Sequence, residues 1–462
     1  MRVKSVVALV AALSWAHAQA QPAADQVKQL GATLTPWGAE VAGNKDGSIP
    51  AYTGGLSKAP PGFDISSGNW VDPYANEKPT AQITASNMAQ YADKLTDGVK
   101  AMLERWPDTM RLDVYPTRRS YPAMSKELAQ AAINNANNPD CKTVADGVGV
   151  RGCESSTPFP VPKSGAEIMW NFLMRQRPEF AVLRAQNLVF DSTGVMQTPQ
   201  RYEASEDMPY WDPKTKTYSG DGEYYFRVRS TTIEPPRDAG LTQTVWYPIR
   251  NDVEDQRAWS YSTGQRRVRL APEFAYDTPV LTLGGVVFYD ETGGGFTGRL
   301  DRFDYKIVGK RELYVPYNTY KVLFTPPEKL VLKSHVNPDA MRWELHRAWV
   351  VEATVKPGQR HAMAKRRFYV DEDSWALLTT EGFDQAGKLA RVTMSHFLPN
   401  YSGVGGGTLD FLSASQNYDM IGGRFAIIGN FGFKNAFYKP TQRTQDLVNE
   451  LNPQSMARTG VR

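Results

Sequence analysis

The stretch WELHRAWVVEATV, residues 343–355, alternates between apolar and polar side chains with a period of two. One face carries the apolar side chains, which are Trp343, Leu345, Trp349, Val351, Ala353 and Val355. The other face carries Glu344, His346, Glu352 and Thr354. This period is typical of a β-strand with one buried face, so we predict a half-buried strand here.

Three further strand-like stretches follow, and together they predict an antiparallel meander. They are KRRFYV (365–370), WALLTTEGF (375–383) and KLARVTMSHF (388–397). Turn residues stand before each of them: Pro357-Gly358, the acidic run 371–374, and 384–387. Because the bulky apolar groups fall on one face, helices, a second sheet or a ligand must cover that face.

The rest of the chain divides into blocks without an obvious linker, and we predict a single domain over residues 21–462. Residues 21–82 are rich in Pro, Gly, Asn and Asp, and predict an extended arm that aromatic residues pin to a surface. Residues 83–180 form a helical part, 181–400 an antiparallel sheet, and 401–462 a C-terminal arm. Apolar spacing predicts helices over 86–106 and 125–134, and a capping box at Ser164–Glu167 begins a third.

Residues 1–20 have the composition of a signal peptide, with Arg2 and Lys4 before a short apolar run and a small-residue cleavage site after it. We therefore expect a periplasmic protein that is cleaved after Ala18 or Ala20. We expect no lipid anchor, because no cysteine lies near the cleavage site to carry one. The two cysteines, Cys141 and Cys153, flank a loop rich in Gly and Asn, and export predicts that they form a disulfide.

Motifs for catalysis, phosphate binding and dinucleotide binding are absent from the sequence. We therefore predict no enzyme activity, no catalytic residues and no cofactor. Cleavage of the signal peptide removes Arg2 and Lys4 and leaves 51 basic and 49 acidic residues. This nearly neutral balance disfavours nucleic-acid binding.

Three local patterns leave a structural and a functional interpretation open. His335, His346, His361 and His396 are not spaced as metal pairs, and Asp371, Glu372 and Asp373 are typical of a solvated turn, so we predict no metal site. The triple glycine at 293–295 predicts a loop that is either a plain connection or a gate.

Arginines share strand faces at two places, Arg227 with Arg229 and Arg267 with Arg269. The structural interpretation is ion pairing across strands, which we favour. The functional interpretation is a basic rim that binds the phosphate or carboxylate head group of a ligand.

Several long segments resemble a bacterial family of exported proteins of unknown function that are labelled outer-membrane lipoprotein-sorting-like. The resemblance is carried by residues 30–55, 87–119, 158–173, 264–279 and 301–318, and by the stretches around 337–355 and 365–375. It implies an α+β fold similar to the LolA and LolB carriers: a large curved antiparallel sheet, open as a half-barrel, wrapped around a few helices. The chain departs from LolB in size and in lacking the lipid-bearing cysteine.

This resemblance implies a periplasmic carrier of a lipid or other hydrophobic cargo, linked to a membrane exporter. The cavity candidates are Trp343, Leu345, Trp349 and Val351, although each is equally suited to an ordinary core. The alternative is a scaffold or accessory subunit of an envelope exporter that has no ligand of its own.

Overall fold

The computed structural model describes residues 23–212, 223–271, 276–409 and 414–459. The predicted signal peptide lies outside these residues. The α-helices are α1 (Ala23–Val27), α2 (Asp97–Arg105), α3 (Lys126–Asn137), α4 (Gly165–Leu173), α5 (Thr292–Gly295), α6 (Tyr320–Phe324), α7 (Pro327–Leu330), α8 (Gln445–Glu450) and α9 (Met456–Thr459).

The strands of the first half are β1 (Ala81–Ile83), β2 (Leu112–Val114), β3 (Lys142–Val144), β4 (Gly149–Arg151), β5 (Phe180–Phe190), β6 (Gln200–Asp207), β7 (Tyr224–Glu234), β8 (Thr242–Pro248), β9 (Arg257–Ser262) and β10 (Arg267–Leu270). Those of the second half are β11 (Phe303–Pro316), β12 (Trp343–Val355), β13 (Lys365–Asp371), β14 (Leu377–Phe383), β15 (Leu389–Ser395), β16 (Leu398–Pro399), β17 (Thr408–Leu409), β18 (Ser415–Asp419), β19 (Phe425–Asn430) and β20 (Phe437–Thr441).

One sheet of 16 strands dominates the described residues, in the order β1-β2-β12-β13-β14-β15-β18-β19-β5-β6-β7-β8-β9-β10. Strand β11 also pairs with β12, and β20 also pairs with β5. The pairs are antiparallel apart from β2 with β12. Because β1 and β10 end the series without meeting, the sheet is open, as the resemblance implied.

The predicted meander is confirmed as β12 to β15, but the strand that opens it is not half-buried. Its polar residues Glu344, His346 and Arg347 are at most 7% exposed. They avoid water because each is paired with another buried polar group, which removes the penalty for burying it. Both faces of the first part of β12 are therefore buried, and Ala348 and Val350 of the second face belong to an apolar core cluster. Exposure appears only at the end of the strand, where Thr354 is exposed.

Both faces of the sheet are covered. The apolar face of α4 packs with Val351, Phe368 and other residues of β12–β14 in one core cluster. Helix α2 lies on the opposite face, where Gly98 lies against Val392 of β15.

The N-terminal arm is anchored to the sheet by buried aromatic residues, as its composition predicted. Trp37 and Trp70 are 2% and 5% exposed. The backbone oxygen of Trp37 accepts a hydrogen bond from Trp375 Nε1 at 3.0 Å, and Trp70 Nε1 donates to Tyr438 O at 3.1 Å. These two hydrogen bonds join the arm to residues that lie more than 300 positions later in the sequence.

The helix predictions hold at two places and fail at one. Ser125 and Ser164 cap α3 and α4 as expected. Over 86–106, however, a 3-10 helix (Met88–Lys94) and α2 are separated by the extended residue Leu95. The break arises because Thr96 Oγ1 accepts from Val99 N and starts a new helix there. None of the described helices is long and apolar enough to cross a membrane.

Cys141 and Cys153 form the predicted disulfide, and both residues are buried beside the β3–β4 hairpin that they enclose.

We expect Cys141→Ser and Cys153→Ser each to lower the free energy of unfolding by about 2–3 kcal/mol, because the open chain regains the entropy of a short loop. Urea denaturation of the oxidised protein and of both variants measures this. A double variant should be no less stable than either single one, and equal stability of the reduced and oxidised wild type would contradict the expectation.

Candidate functional site

A cavity lies between strands β5–β8 and a loop segment that crosses them, residues 276–300, which we call the cover segment. The cavity has a volume of about 190 Å³. Its lining is mostly apolar and includes Phe226, Val228, Val245, Leu283 and Ile428. An open pocket with a mainly apolar surface attracts an apolar ligand, because such a ligand leaves water on entering it.

One polar atom within the lining has no hydrogen-bond partner, the hydroxyl group of Tyr202. The residue is only 2% exposed, and burial raises the pKa of Tyr202 well above its ordinary value. The group is therefore a neutral hydroxyl at any physiological pH. A buried polar group without a partner costs free energy. A ligand atom that accepts a hydrogen bond from this hydroxyl would recover that free energy.

A second, more polar hollow adjoins the cavity, and Thr297 lines both. It has a volume of about 670 Å³ and includes Glu254, Arg257, Leu270 and Arg299 in its lining. An apolar space beside a polar one suits a ligand with an apolar part and a polar head.

Buried charge anchors the cover segment to the sheet. Arg366 of β13 donates to Asp290 Oδ2 at 2.9 Å and to the backbone oxygen of Gly295 at 3.1 Å. His361 Nε2 also lies 2.9 Å from Asp290 Oδ2. Burial opposes ionisation of Asp290, but Arg366 and His361 outweigh it and hold the pKa of Asp290 below its ordinary value.

The triple glycine forms the tight turn of the cover segment and contributes to the cavity wall through Gly293. Gly293 and Gly294 have φ values of 71° and 77°, which favour glycine. At Gly295, with φ +101°, a Cβ atom would meet Thr380 and Leu377 at 3.0 and 3.1 Å. Glycine is thus required for the segment to approach the sheet.

The four cavity candidates from the sequence do not line this cavity. Trp343 and Val351 are 0% exposed and belong to two separate core clusters, and Leu345 is 2% exposed. Trp349 is half-buried, stacks on Trp375 and lies under Lys310 Nζ. These positions are packed because helices and the N-terminal arm cover β12, whereas β5–β8 are covered by a loop.

The four arginines separate into two pairs. On β7, Phe226, Val228 and Ser230 line the cavity, so Arg227 and Arg229 point to the opposite face. There Arg227 Nε donates to Asp207 Oδ2 at 2.8 Å, and Arg229 bonds to Ser455 Oγ at 2.9 Å. Arg227 thus makes the ion pair across strands that the structural interpretation describes, whereas Arg229 bonds to C-terminal residues. Neither lies in the cavity.

Arg267 and Arg269 lie on the cavity-facing side. The register joins Ser230, Gln243, Ser260 and Arg269 across one face, and Ser230 and Gln243 line the cavity. Both arginines are exposed on β10, at the end of the strand order. The alternation along β7 that places Arg227 and Arg229 on one face places Phe226 and Val228 on the other, and this apolar face is the signal for the cavity that the sequence carries.

The prediction that the acidic turn is solvated is wrong, since Asp371, Glu372 and Asp373 are at most 2% exposed. Arg119 donates to both oxygens of Asp373, and Arg347 Nη1 donates to Glu372 Oε1 at 2.9 Å. Burial and neighbouring Asp373 raise the pKa of Asp371 to about 6. One atom each of His346, Asp371 and Asp373 lie within 4.8 Å of one another, an arrangement that can hold a metal ion.

Comparison with known proteins gives a family but no established activity. A family described as "Protein of unknown function (DUF1329)" matches residues 82–457. An uncharacterized protein of Pseudomonas aeruginosa is 38% identical over 413 residues, which are 88% of this chain and 87% of that protein.

Solved structures align over a little less than two thirds of this chain, with low TM-scores. A DUF1329 family protein from Desulfovibrio piger aligns with a TM-score of 0.42 and 11% identity, over 63% of this chain and 97% of that one. A putative outer membrane lipoprotein-sorting protein domain from Vibrio parahaemolyticus aligns with a TM-score of 0.40 and 10% identity, over 64% and 98%. A LolA superfamily protein from Nitrosomonas europaea gives 0.34 and 9%, over 63% and 98%.

We expect Arg366→Met to lower the free energy of unfolding by about 3–5 kcal/mol, because it leaves Asp290 buried without its cation. Since the folded pKa of Asp290 is depressed, this contribution is complete at neutral pH and is lost only in acid, below about pH 4. Urea denaturation at neutral and acid pH measures both effects.

The matched control is Arg360→Met, which changes an exposed arginine and should alter stability by less than about 0.5 kcal/mol. Arg366→Met with Asp290→Asn should be more stable than Arg366→Met alone. If both arginine variants behave alike, Arg366 does not anchor the cover segment.

Proposed function

This chain belongs to the DUF1329 family of proteins of unknown function, and from that premise we propose that it is a non-catalytic carrier of a lipid-like molecule in the periplasm. The observation that supports this function best is the apolar cavity under the cover segment, with the unpaired Tyr202 hydroxyl in its wall. The signal-peptide composition of residues 1–20 supports the periplasmic location.

The cargo has an apolar part that enters the cavity between β5–β8 and the cover segment. Each CH₂ group that leaves water there contributes about 0.8 kcal/mol to binding. An engineered apolar cavity of about 150 Å³ binds benzene, so about 190 Å³ admits one ring or a short acyl segment. A longer chain requires the cover segment to move, and its glycine turn is the point at which the backbone can change direction.

The polar part of the cargo is acidic and lies beyond the cavity, towards the β10 edge of the sheet. Arg267 and Arg269 are exposed on the same face of the sheet as the cavity lining, two strands from β8. An arginine guanidinium binds a carboxylate or phosphate through two parallel hydrogen bonds. Tyr202 lines the cavity, and its buried hydroxyl donates a further hydrogen bond when the ligand displaces the atoms that cover it. Delivery of this cargo to a membrane exporter complex is the step that the proposed carrier serves.

We expect Val245→Arg to weaken the binding of a fluorescent fatty-acyl probe at least tenfold, because a charge would replace half-buried apolar wall. The fold should survive, since a half-buried side chain can reach water. Fluorescence titration and the melting temperature measure the two effects. Ile421→Arg, which adds the same charge at an exposed turn position, is the control and should bind normally.

Tyr202→Phe separates a binding hydroxyl from a structural one. We expect it to weaken binding of a carboxylate probe about tenfold and to leave stability unchanged or raised, because the hydroxyl has no partner within the protein. A wild-type protein that binds no probe, with Tyr202→Phe unchanged in stability, would contradict the carrier and favour a scaffold without ligand.

A further inference from the structure

His346, Asp371 and Asp373 form a compact buried cluster far from the cargo cavity in the strand order. His346 lies in β12, Asp371 ends β13, and Asp373 lies in the turn that follows. The three residues are at most 1% exposed, and one ring nitrogen and two carboxylate oxygens lie within 4.8 Å of one another. The β12–β13 register, in which Ala348 faces Asp371, brings His346 towards Asp373.

The charges around this cluster are paired except for one carboxylate. Asp373 is paired with Arg119, and Glu372 with Arg347 and Lys310. Asp371 Oδ2 accepts hydrogen bonds from Tyr317 Oη at 3.0 Å and Ser374 Oγ at 2.6 Å, but no described cation pairs with it. Asp371 Oδ1 is buried without any hydrogen-bond partner. A buried carboxylate oxygen without a hydrogen-bond donor, such as Asp371 Oδ1, is suited to bind a cation.

His346 is held in an orientation that metal-binding histidines commonly have. Its ring stacks on Tyr317 with centroids 3.7 Å apart, and Nε2 lies 3.1 Å from Glu344 Oε2. Glu344 is itself bonded to Arg342 Nε at 2.6 Å. Because a carboxylate only accepts hydrogen bonds, Nε2 is the donor to Glu344, and Nδ1 is the ring nitrogen left to bind an ion. A carboxylate on the far nitrogen fixes the ring and raises its basicity as a ligand.

No direct hydrogen bond joins His346 to either aspartate among the described residues, so the spacing leaves room between them. Ligand atoms that bind one tetrahedral ion at about 2.0–2.2 Å stand about 3.3–3.6 Å from each other. The three atoms here lie within 4.8 Å of one another, so a small movement of these side chains brings them to that separation. We propose that His346 Nδ1, Asp371 and Asp373 bind a divalent transition-metal ion such as Zn²⁺. Imidazole with carboxylate oxygens is a ligand set that suits zinc.

The ion would connect the meander to the N-terminal arm. Arg119 holds Asp373 and also donates to the backbone oxygens of Glu40 at 2.7 Å and Val41 at 3.3 Å. Arg119 forms its ion pair with Asp373, and no ion pair from a described Arg or Lys reaches Asp371. A hollow of about 10 Å³, lined by Tyr317 and Ser374, adjoins the site and is close to the size of one water molecule. The ion's role is structural, and it is independent of cargo binding.

Isothermal titration of untagged, chelator-treated protein with ZnCl₂ tests the site, and Co²⁺ absorption reports the ligand geometry. We expect one ion per chain and a higher melting temperature with zinc. Asp371→Asn, which keeps the shape of the side chain, should weaken zinc binding by more than about 100-fold, beyond the roughly 10–100-fold effect of losing an outer contact. The control is His335→Gln, a buried histidine outside the cluster, which should bind zinc as the wild type does.

Diffraction at the zinc edge keeps the test decisive if a variant fails to fold. A peak at about 2.0–2.2 Å from His346 Nδ1 in a zinc-soaked wild-type crystal supports the site. Absence of stoichiometric zinc binding, equal binding by Asp371→Asn, or a peak at other residues overturns it. A protein that binds zinc but no acyl probe retains the metal site and loses the carrier function, so the two proposals fail separately.

Discussion

The constraint on which this structure depends is that a charge buried inside the protein must be paired. Strand β12 bonds to β11 along its whole length and to β13 on its other side. Helices and the N-terminal arm cover its faces, so Glu344 and Arg347 have no water to solvate them. An unpaired charge in such a place would cost several kcal/mol. The strand can be covered on both faces only because Glu344 pairs with Arg342 and Arg347 pairs with Glu372.

The same constraint makes the exceptions informative. The hydroxyl of Tyr202 and the Oδ1 atom of Asp371 are buried polar atoms without partners, and each lies beside a space or a group of potential ligands. The first is in an apolar wall and suits a small organic acceptor. The second is among two carboxylates and an imidazole and suits a cation. The different surroundings explain why we assign the two sites to different chemistry.

The cargo cavity exists because the two ends of the sheet are covered differently. Around β12–β14, α4 fills the surface with large side chains such as Trp170 and Phe172. Across β5–β8 the cover segment is a loop, held at a few points by Arg366, His361 and Ser395. The cover segment also packs on β5 and β19 through an apolar cluster that includes Val287 and Ile428, and the space remains where it crosses β6–β8. The acid-sensitive contacts of Asp290 are thus also the contacts that define the cavity.

The sequence by itself determined the meander, the helix near 125–134, the helix start at Ser164 and the Cys141–Cys153 pair, because each depends on local periodicity, capping or spacing. Tertiary structure alone decided which faces are buried. The run 371–373 reads as solvated in sequence, yet Arg119, more than 250 residues earlier, buries it by supplying the charge. Likewise, only the register across β7–β10 separates Arg269, on the cavity face, from Arg227, on the other. Long-range pairing has no local signature, and the site is made of such pairs.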